Sequence, residues 1–491
     1  MEINTKILSF ASGVNWGIEL TNLPVEIIEK YGQLTDTDTD NPGILSILEV
    51  AFCVGAAIGC ITTPMYAGRL GFTNSLRMLF VLSILINGIT MIPVHWLYLT
   101  VMRFLIGFTT SSISSLSPLL VAEVLNPHER GKTMMMFAVA LNTGVLLAYV
   151  FHWCISFDYG VWMLSFAPPI ICEIISMVCL FFIARAFKNQ RKQSQRDEQV
   201  VHDDVPLMVE GDFGDVHTSS NFIKSSNEET SNTFQKKLEF SAPTDFNKKL
   251  TRTQFRRIVY VTVALGAMQM LTGVDAIIIY ASEIFGELFE SKKSGIYGSI
   301  ILGIANLVYT FIAAPFAEHK PRRKMLFIGI AGVCVCHLTI AILYFVKAPT
   351  IVVLIFLMLL FLFYNLGPEP IVFMFFSEMF PERYKIKLNG LGYTVNWVAN
   401  IISVFIFEFF VGGREQYVYI FFGVMTLILG ISGTVLAPET FGKTLAEIET
   451  QIRAWTKKER HTKKQIENNN KGLRIDMEKV RMVSYQDGAL E

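Results

Sequence analysis

The chain has 491 residues, 42 basic and 42 acidic side chains and a mean hydropathy of +0.43. Hydrophobic residues make up 52% and charged residues 17%, against about 25% charged in soluble domains, so a soluble globular class is excluded. The even charge balance gives no electrostatic footprint for nucleic acid, and seven cysteines without a C-x-x-C pair indicate neither a disulfide framework nor a metal site.

About 20 apolar residues are needed to cross the hydrocarbon of a bilayer. Twelve stretches of that order recur, at 5–28, 43–67, 78–96, 97–122, 132–153, 161–184, 255–282, 295–317, 324–346, 350–378, 387–411 and 416–437. They predict an all-α membrane protein with twelve transmembrane helices. Spans 3 and 4 are almost continuous, so Pro93-Val-His95-Trp96 is expected to be their turn. The first span follows only six residues and lacks a small-residue cleavage site, so it reads as a retained helix.

Glu19 in the first span and Arg103 in the fourth are an informative pair of charges inside apolar stretches. A lone charge at mid-bilayer costs roughly 2.5–3.5 kcal/mol, so it faces a partner or a water-filled path. The two are expected to pair, either along a translocation path or as a static strut. Span 6 holds a further acid, Glu173, whose expected partner is a Ser or Arg.

Basic residues concentrate in the 2–3 connection (Arg69, Arg77), the 4–5 connection (Arg130, Lys132) and the 8–9 connection (Lys320, Arg322, Arg323, Lys324). Acidic residues lie on the other side, after span 1 (Asp36, Asp38, Asp40) and span 7 (Glu283, Glu287, Glu290). The positive-inside rule therefore places both termini in the cytoplasm. Residues 185–254 are polar and separate six spans from six, which predicts halves at 1–184 and 255–437, an intervening cytoplasmic segment and a tail at 438–491.

The halves echo each other. Glu123 precedes Arg130 by seven residues after span 4, and Glu378 precedes Lys385 by seven after span 10. Internal repeats are how secondary transporters build a midplane site between two rocking halves. Glu123, Arg130, Glu378, Arg383 and Lys385, with Arg69, Glu318, Arg322 and Arg323, read as an inside latch that favours the outward-open state. Ordinary topology-setting charge is the plainer account of them.

Polar residues of the second half outline a pocket. Gln269, Thr272 and Asp275 recur every three residues, as on one helix face. Asn306 lies in span 8. Span 10 holds Asn365-Leu-Gly367-Pro368-Glu369-Pro370, a built-in break of the kind tolerated where backbone lines a cavity. Span 11 holds Asn396, Trp397 and Asn400, the two amides one turn apart. Amides both donate and accept, which suits a ligand with many hydroxyls. Phe373 and Trp397 are suited to stack on a ligand ring or to gate the cavity. Each amide alone is equally well read as glue between helices.

Over about residues 10–450 the chain resembles the sugar-porter family of the major facilitator superfamily. Pro438-Glu439-Thr440-Phe441-Gly442-Lys443-Thr444 matches the family's P-E-T-x-G-K/R-T, and Gly367-Pro368-Glu369-Pro370 matches its G-P-x-P. Gln269…Gly273-Val-Asp275 is similar to Q-Q-L-S-G-I-N, and Arg103…Gly107, Glu123…Arg130-Gly131 and Asn396-Trp397…Asn400 fall at family spacings. The resemblance implies a plasma-membrane carrier of a monosaccharide, such as a hexose, bound at mid-membrane. It gives Gln269, Asn306, Asn396 and Trp397 sugar-contact roles. Gly17-Ile18-Glu19 falls where proton-coupled porters have Gly-Tyr-Asp and facilitators Gly-Tyr-Asn, so proton–sugar symport is expected, with uniport the alternative.

Several positions depart from the family. The usual Gln of span 5 is Ala138, the second Gln of span 7 is Met270, and an Asn there is Asp275. The acid of span 10 is Asn365 and its Trp is Phe373. P-E-S-P-R after span 6 is replaced by Ile183-Ala-Arg185-Ala-Phe187, and the 2–3 motif carries Phe72 and Thr73 in place of its second basic cluster. A non-transporting sugar receptor is a second reading. No nucleophile–base pair, metal cluster, phosphate loop or cofactor motif points to an enzyme.

Overall fold

The computed structural model describes residues 2–21, 43–92, 95–125, 127–155, 165–203, 249–289, 292–410 and 414–454. These residues form sixteen α-helices and one short 3₁₀ turn at Glu382–Tyr384. Eleven membrane spans meet the length and composition of a crossing helix. The helix that completes the twelve is α1 (Glu2–Thr21), whose Ser9, Ser12, Asn15 and Glu19 lower its apolarity. All four are buried against protein, so the helix needs no apolar surface there. The chain is thus an all-α membrane protein with a twelve-helix frame.

The first half continues with α2 (Gly43–Leu70), α3 (Phe72–Thr90), α4 (Trp96–Val124), α5 (Pro127–Ile155) and α6 (Ala167–Asp203). Helix α3 begins six residues before the expected span. Gly71, at φ 78°, makes the turn, and the helix carries the polar residues Thr73, Asn74 and Arg77 beyond its apolar core. Trp96 opens α4 and is not part of the turn. His95 caps that helix, its Nδ1 accepting from the Leu97 amide at 3.2 Å. Pro93 and Val94 lie outside the described residues.

Two helix crossings in this half depend on glycine. A Cβ on Gly17 would collide with the Leu141 carbonyl, and one on Gly144 with the Val14 carbonyl. These two glycines bring α1 and α5 into backbone contact. Gly55 and Gly107 do the same for α2 and α4. In a bilayer, such close packing replaces the hydrophobic drive that water supplies elsewhere.

The second half holds two interrupted spans. The first is α7 (Arg252–Met270) and α8 (Val274–Ile279), followed by α9 (Ala281–Leu288). The continuous face expected for Gln269, Thr272 and Asp275 is therefore not formed. The helix breaks at Gly273, at φ 72°, where a Cβ would also strike the Phe422 ring. The Thr272 hydroxyl turns back to donate to the Gln269 carbonyl at 2.6 Å. The second interruption is the expected one, at Gly367, between α12 (Thr350–Leu366) and α13 (Pro368–Glu378). Pro368 has no N–H to continue the ladder. The remaining helices are α10 (Lys292–His319), α11 (Arg322–Phe345), α14 (Lys385–Phe410), α15 (Glu415–Leu436) and the short α16 (Leu445–Arg453).

The chain divides into one compact unit of Met1–Ala184 with Thr253–Glu491 and another of Arg185–Arg252. Both six-helix halves belong to the first. They meet where α2 packs on α14 and α5 on α10. At the end with the charged connections, Asn389 donates to the Ser115 carbonyl at 3.0 Å, and Gly390 abuts Cys60 and Pro64. At the opposite end, the Ser46 and Tyr280 hydroxyls bond at 3.0 Å, and the Tyr149 hydroxyl donates to the Ile278 carbonyl at 2.6 Å. Contacts between the halves thus close both ends of the space between them.

Candidate functional site

That space is a cavity at the level of the two helix breaks. Gln269, Asp275, Asn306 and Phe373, all expected there, line it. The first half contributes Trp16 and Leu20 from α1, and Leu141 and Asn142 from α5. Tyr364 and Glu369 come from the two sides of the second break.

A chain of amides ties the walls together. Asn142 Nδ2 donates to Glu369 Oε1 and to the Thr310 hydroxyl, both at 2.8 Å. Its Oδ1 accepts from Asn306 at 2.6 Å. Asn365 stands one layer back, donating to Asn306 Oδ1 and accepting from Thr310, each at 2.6 Å. Asn396 likewise stands behind Gln269, donating to its Oε1 at 2.9 Å, and Gln269 reaches the Glu369 carbonyl at 3.3 Å. Trp397 lies off the cavity wall, with its ring 6.0 Å from Trp16 and 5.5 Å from Phe52. The Asn400 side chain is fully buried with neither amide atom hydrogen-bonded.

Sequence reasoning did not select Trp16, Asn142, Tyr364 or Glu369. Two signals pointed to them. Asn142 lies one helical turn beyond Ala138, on the same face, so the missing span 5 amide is displaced by a turn. Glu369 is a bare acid inside an apolar span.

A second buried polar cluster lies in the first half and corrects the expected ion pair. Arg103 is fully buried, and its Nη2 bonds Glu49 Oε1 at 2.8 Å, not the Glu19 carboxylate. Its Nη1 donates instead to the Glu19 backbone carbonyl at 2.9 Å, and its guanidinium lies 4.6 Å over the Phe52 ring. The reason is positional. The Glu19 carbonyl, not its carboxylate, is the group that faces Arg103. Glu49 faces Arg103 across the glycine crossing of α2 and α4. Both Glu19 carboxylate oxygens are buried without hydrogen bonds. Glu173 accepts from Asn15 Nδ2 at 3.4 Å and interacts with Ser83, so of its two expected partners the Ser is present, joined by an amide.

At the charged end, Arg322 lies 3.8 Å from Glu378 and 5.6 Å over the Phe441 ring, and also meets the Ala317 carbonyl. Its guanidinium also backs Gly131 of the first half. Glu439 accepts from the backbone amides of Arg322 and Arg323 at 3.0 and 3.2 Å. The P-E-T motif thus caps the N-terminus of α11, and Thr444 with Glu447 forms a capping box that starts α16. Arg323 holds the Thr434 and Val435 carbonyls. Arg69 and Arg383 are exposed and Lys385 is buried. The side chains of Glu123, Arg130 and Glu318 lie outside the described ones.

Two six-helix halves around a closed polar cavity define a carrier of the alternating-access kind. A family model described as "Sugar (and other) transporter" matches residues 8–452, and the chain belongs to that family. It is 25% identical over 474 residues to mouse solute carrier family 2, facilitated glucose transporter member 4, covering 91% of this chain and 88% of that one. It is 23% identical to the D-xylose-proton symporter of Escherichia coli K12, covering 84% and 88%. It is 24% identical to the glucose facilitated diffusion protein of Zymomonas mobilis, covering 72% and 74%. The structure of the major facilitator superfamily proton:xylose symporter XylE bound to 6-bromo-6-deoxy-D-glucose aligns with a TM-score of 0.72 at 20% identity. That alignment covers 92% of this chain and 98% of that one, and it shows the same fold.

Proposed function

We propose that the chain carries a monosaccharide across a membrane by alternating access. The observation that carries this reading is the amide-lined cavity between the two halves, with contacts between the halves at both of its ends. Gln269 and Asn306 meet sugar hydroxyls. Asn365 and Asn396 hold those contacts in place, Trp397 backs the aromatic wall, Asn400 is a reserve amide behind it, and Phe373 faces the ring. Glucose- and xylose-carrying relatives support a hexose or pentose as substrate.

In this reading both termini are cytoplasmic and the membrane is the plasma membrane. Residues 1–184 and 255–437 are the moving halves, 185–254 the cytoplasmic segment and 438–491 the tail. The cluster at Arg322, Glu378 and Arg383 is the second half's part of the inside latch.

Coupling to protons belongs to the same reading. The first-half cluster holds three carboxyls, Glu19, Glu49 and Glu173, and one guanidinium. Glu49 pairs with Arg103, which in this reading leaves Glu19 to take up a proton and relieve the excess buried charge. A symporter relative supports the same step. The test is uptake of labelled sugar into liposomes containing the purified protein, with and without an imposed inward proton gradient. Accumulation above equilibrium supports symport, equilibration alone supports uniport, and no uptake of any monosaccharide refutes transport.

A further inference from the structure

The charge of the cavity does not suit a wholly neutral ligand. Two acids line it, Asp275 and Glu369, and among the described residues no Lys, Arg or His does. Glu369 is only 4% exposed. One of its oxygens takes the Asn142 amide at 2.8 Å, while Oε2 is buried with no hydrogen-bond partner. Asp275, 8% exposed, lies within electrostatic reach of Glu369. Burying one carboxylate without a counter-charge is expensive, and burying two side by side is more so.

The rest of the lining specifies what counter-charge fits. The neighbouring amides are already engaged with one another, Asn142 with Asn306 and Gln269 with Asn396. Their capacity is thus partly used, and the open acceptor capacity on this wall lies chiefly on the carboxylates, which only a donor can use. Trp16, Tyr364 and Phe373 line the same space, and aromatic faces attract cations. An ammonium group is donor-only, charged, and matched to both features.

We infer that the preferred ligand is a monosaccharide bearing a protonated amine, whose ammonium engages the Asp275–Glu369 wall while its hydroxyls meet Gln269 and Asn306. This rests on the sugar-transport reading and narrows its substrate class. It differs from the first-half cluster, where Glu19 and Glu173 do not line the cavity and a proton is the counter-charge proposed above.

The experiment is a thermal-shift titration of the purified full-length protein with D-glucose, 2-amino-2-deoxy-D-glucose and the N-acetylated form of that amine. The acetylated sugar keeps the added nitrogen but not the charge. A charge-assisted bond in a dry site is expected to favour the amine over glucose by at least about tenfold. The ratio of the two affinities is expected to collapse towards one in Asp275→Asn and in Glu369→Gln. If either variant fails to fold, the wild-type ratio across pH decides, because the preference must fade as the ligand's ammonium loses its proton. Equal affinities for glucose and the amine overturn the inference and leave sugar transport standing. So does a preference that survives both substitutions, or one shared by the acetylated sugar. Binding of no sugar overturns both readings.

Discussion

Asn142 and Glu369 meet across the interface between the halves, with the amide Nδ2 2.8 Å from the carboxylate Oε1. This bond joins α5 of the first half to the start of α13 in the second. It must break whenever the halves separate on that side, so it belongs to the closed state.

Removing the amide leaves a buried carboxylate and the Asn306 and Thr310 groups short of partners. Asn142→Ala is expected to cost about 1–3 kcal/mol of stability. Thermal melting of the purified protein measures it. In a double-mutant cycle with Glu369→Gln, the two losses should fall short of additivity because the pair shares one bond. Strict additivity would show that the bond carries no energy.

Gln269→Ala and Asn306→Ala are expected to weaken sugar binding about ten- to hundredfold, since each leaves ligand hydroxyls unpaired. Trp397→Ala acts through Trp16 and is expected to do less. Equilibrium binding to purified protein reads all three. Unchanged affinity across the set would mean that the ligand sits elsewhere.

The two acids near Arg103 are expected to separate in effect. Glu49→Gln removes the partner of a fully buried guanidinium, which typically costs about 3–5 kcal/mol. It should show first as poor expression or a lowered melting temperature. Glu19→Gln keeps the size of the side chain and leaves the Glu49–Arg103 pair intact. It should leave melting and sugar exchange close to wild type and abolish accumulation driven by a proton gradient. As pH rises on both sides of the membrane, wild-type accumulation should fall, because fewer carriers load the proton, whereas exchange in Glu19→Gln should not follow pH. Gradient-driven accumulation that persists in Glu19→Gln would remove Glu19 from coupling.

Glu378→Gln weakens the hold on Arg322, and Gly131 of the first half backs the same guanidinium. The variant is expected to populate the inward-facing state more, with sugar still bound. A cysteine placed in the cytoplasmic half of the cavity should then react faster with a polar thiol reagent. Equal reaction rates in both proteins would count against the latch.

Gly17→Val would drive two methyl groups into the Leu141 carbonyl, where backbone cannot yield. Overpacking of this kind costs about 1–3 kcal/mol even in side-chain cores. A melting temperature within error of wild type would show that α1 and α5 are not in register at this crossing.

The span count is readable from the sequence because burial in lipid demands long apolar runs. The break between α12 and α13 is readable too, because Gly367 and Pro368 leave no helical alternative. The break after α7 is not, because Gln269, Thr272 and Asp275 carry a helical spacing through Gly273, and spacing cannot see a positive φ. Within the cavity, the second-half amides are legible as polar residues in apolar runs. Asn142 is masked because Ala138, a turn away, occupies the position where the family carries its amide. Glu49 is hidden for a different reason. A lone acid near a span end reads as a boundary charge until the chain is folded and Arg103 is found 2.8 Å away.

Each acid of the cavity stands two residues beyond a glycine that interrupts its helix, Asp275 after Gly273 and Glu369 after Gly367. Among the described residues, the first-half spans run without such interruptions. In the amine-ligand reading, the ligand's charge is met at the two places where the wall's helices are interrupted. A ligand that satisfies these carboxylates acts on the short arms α8 and α13 directly, with no relay through the helix bodies.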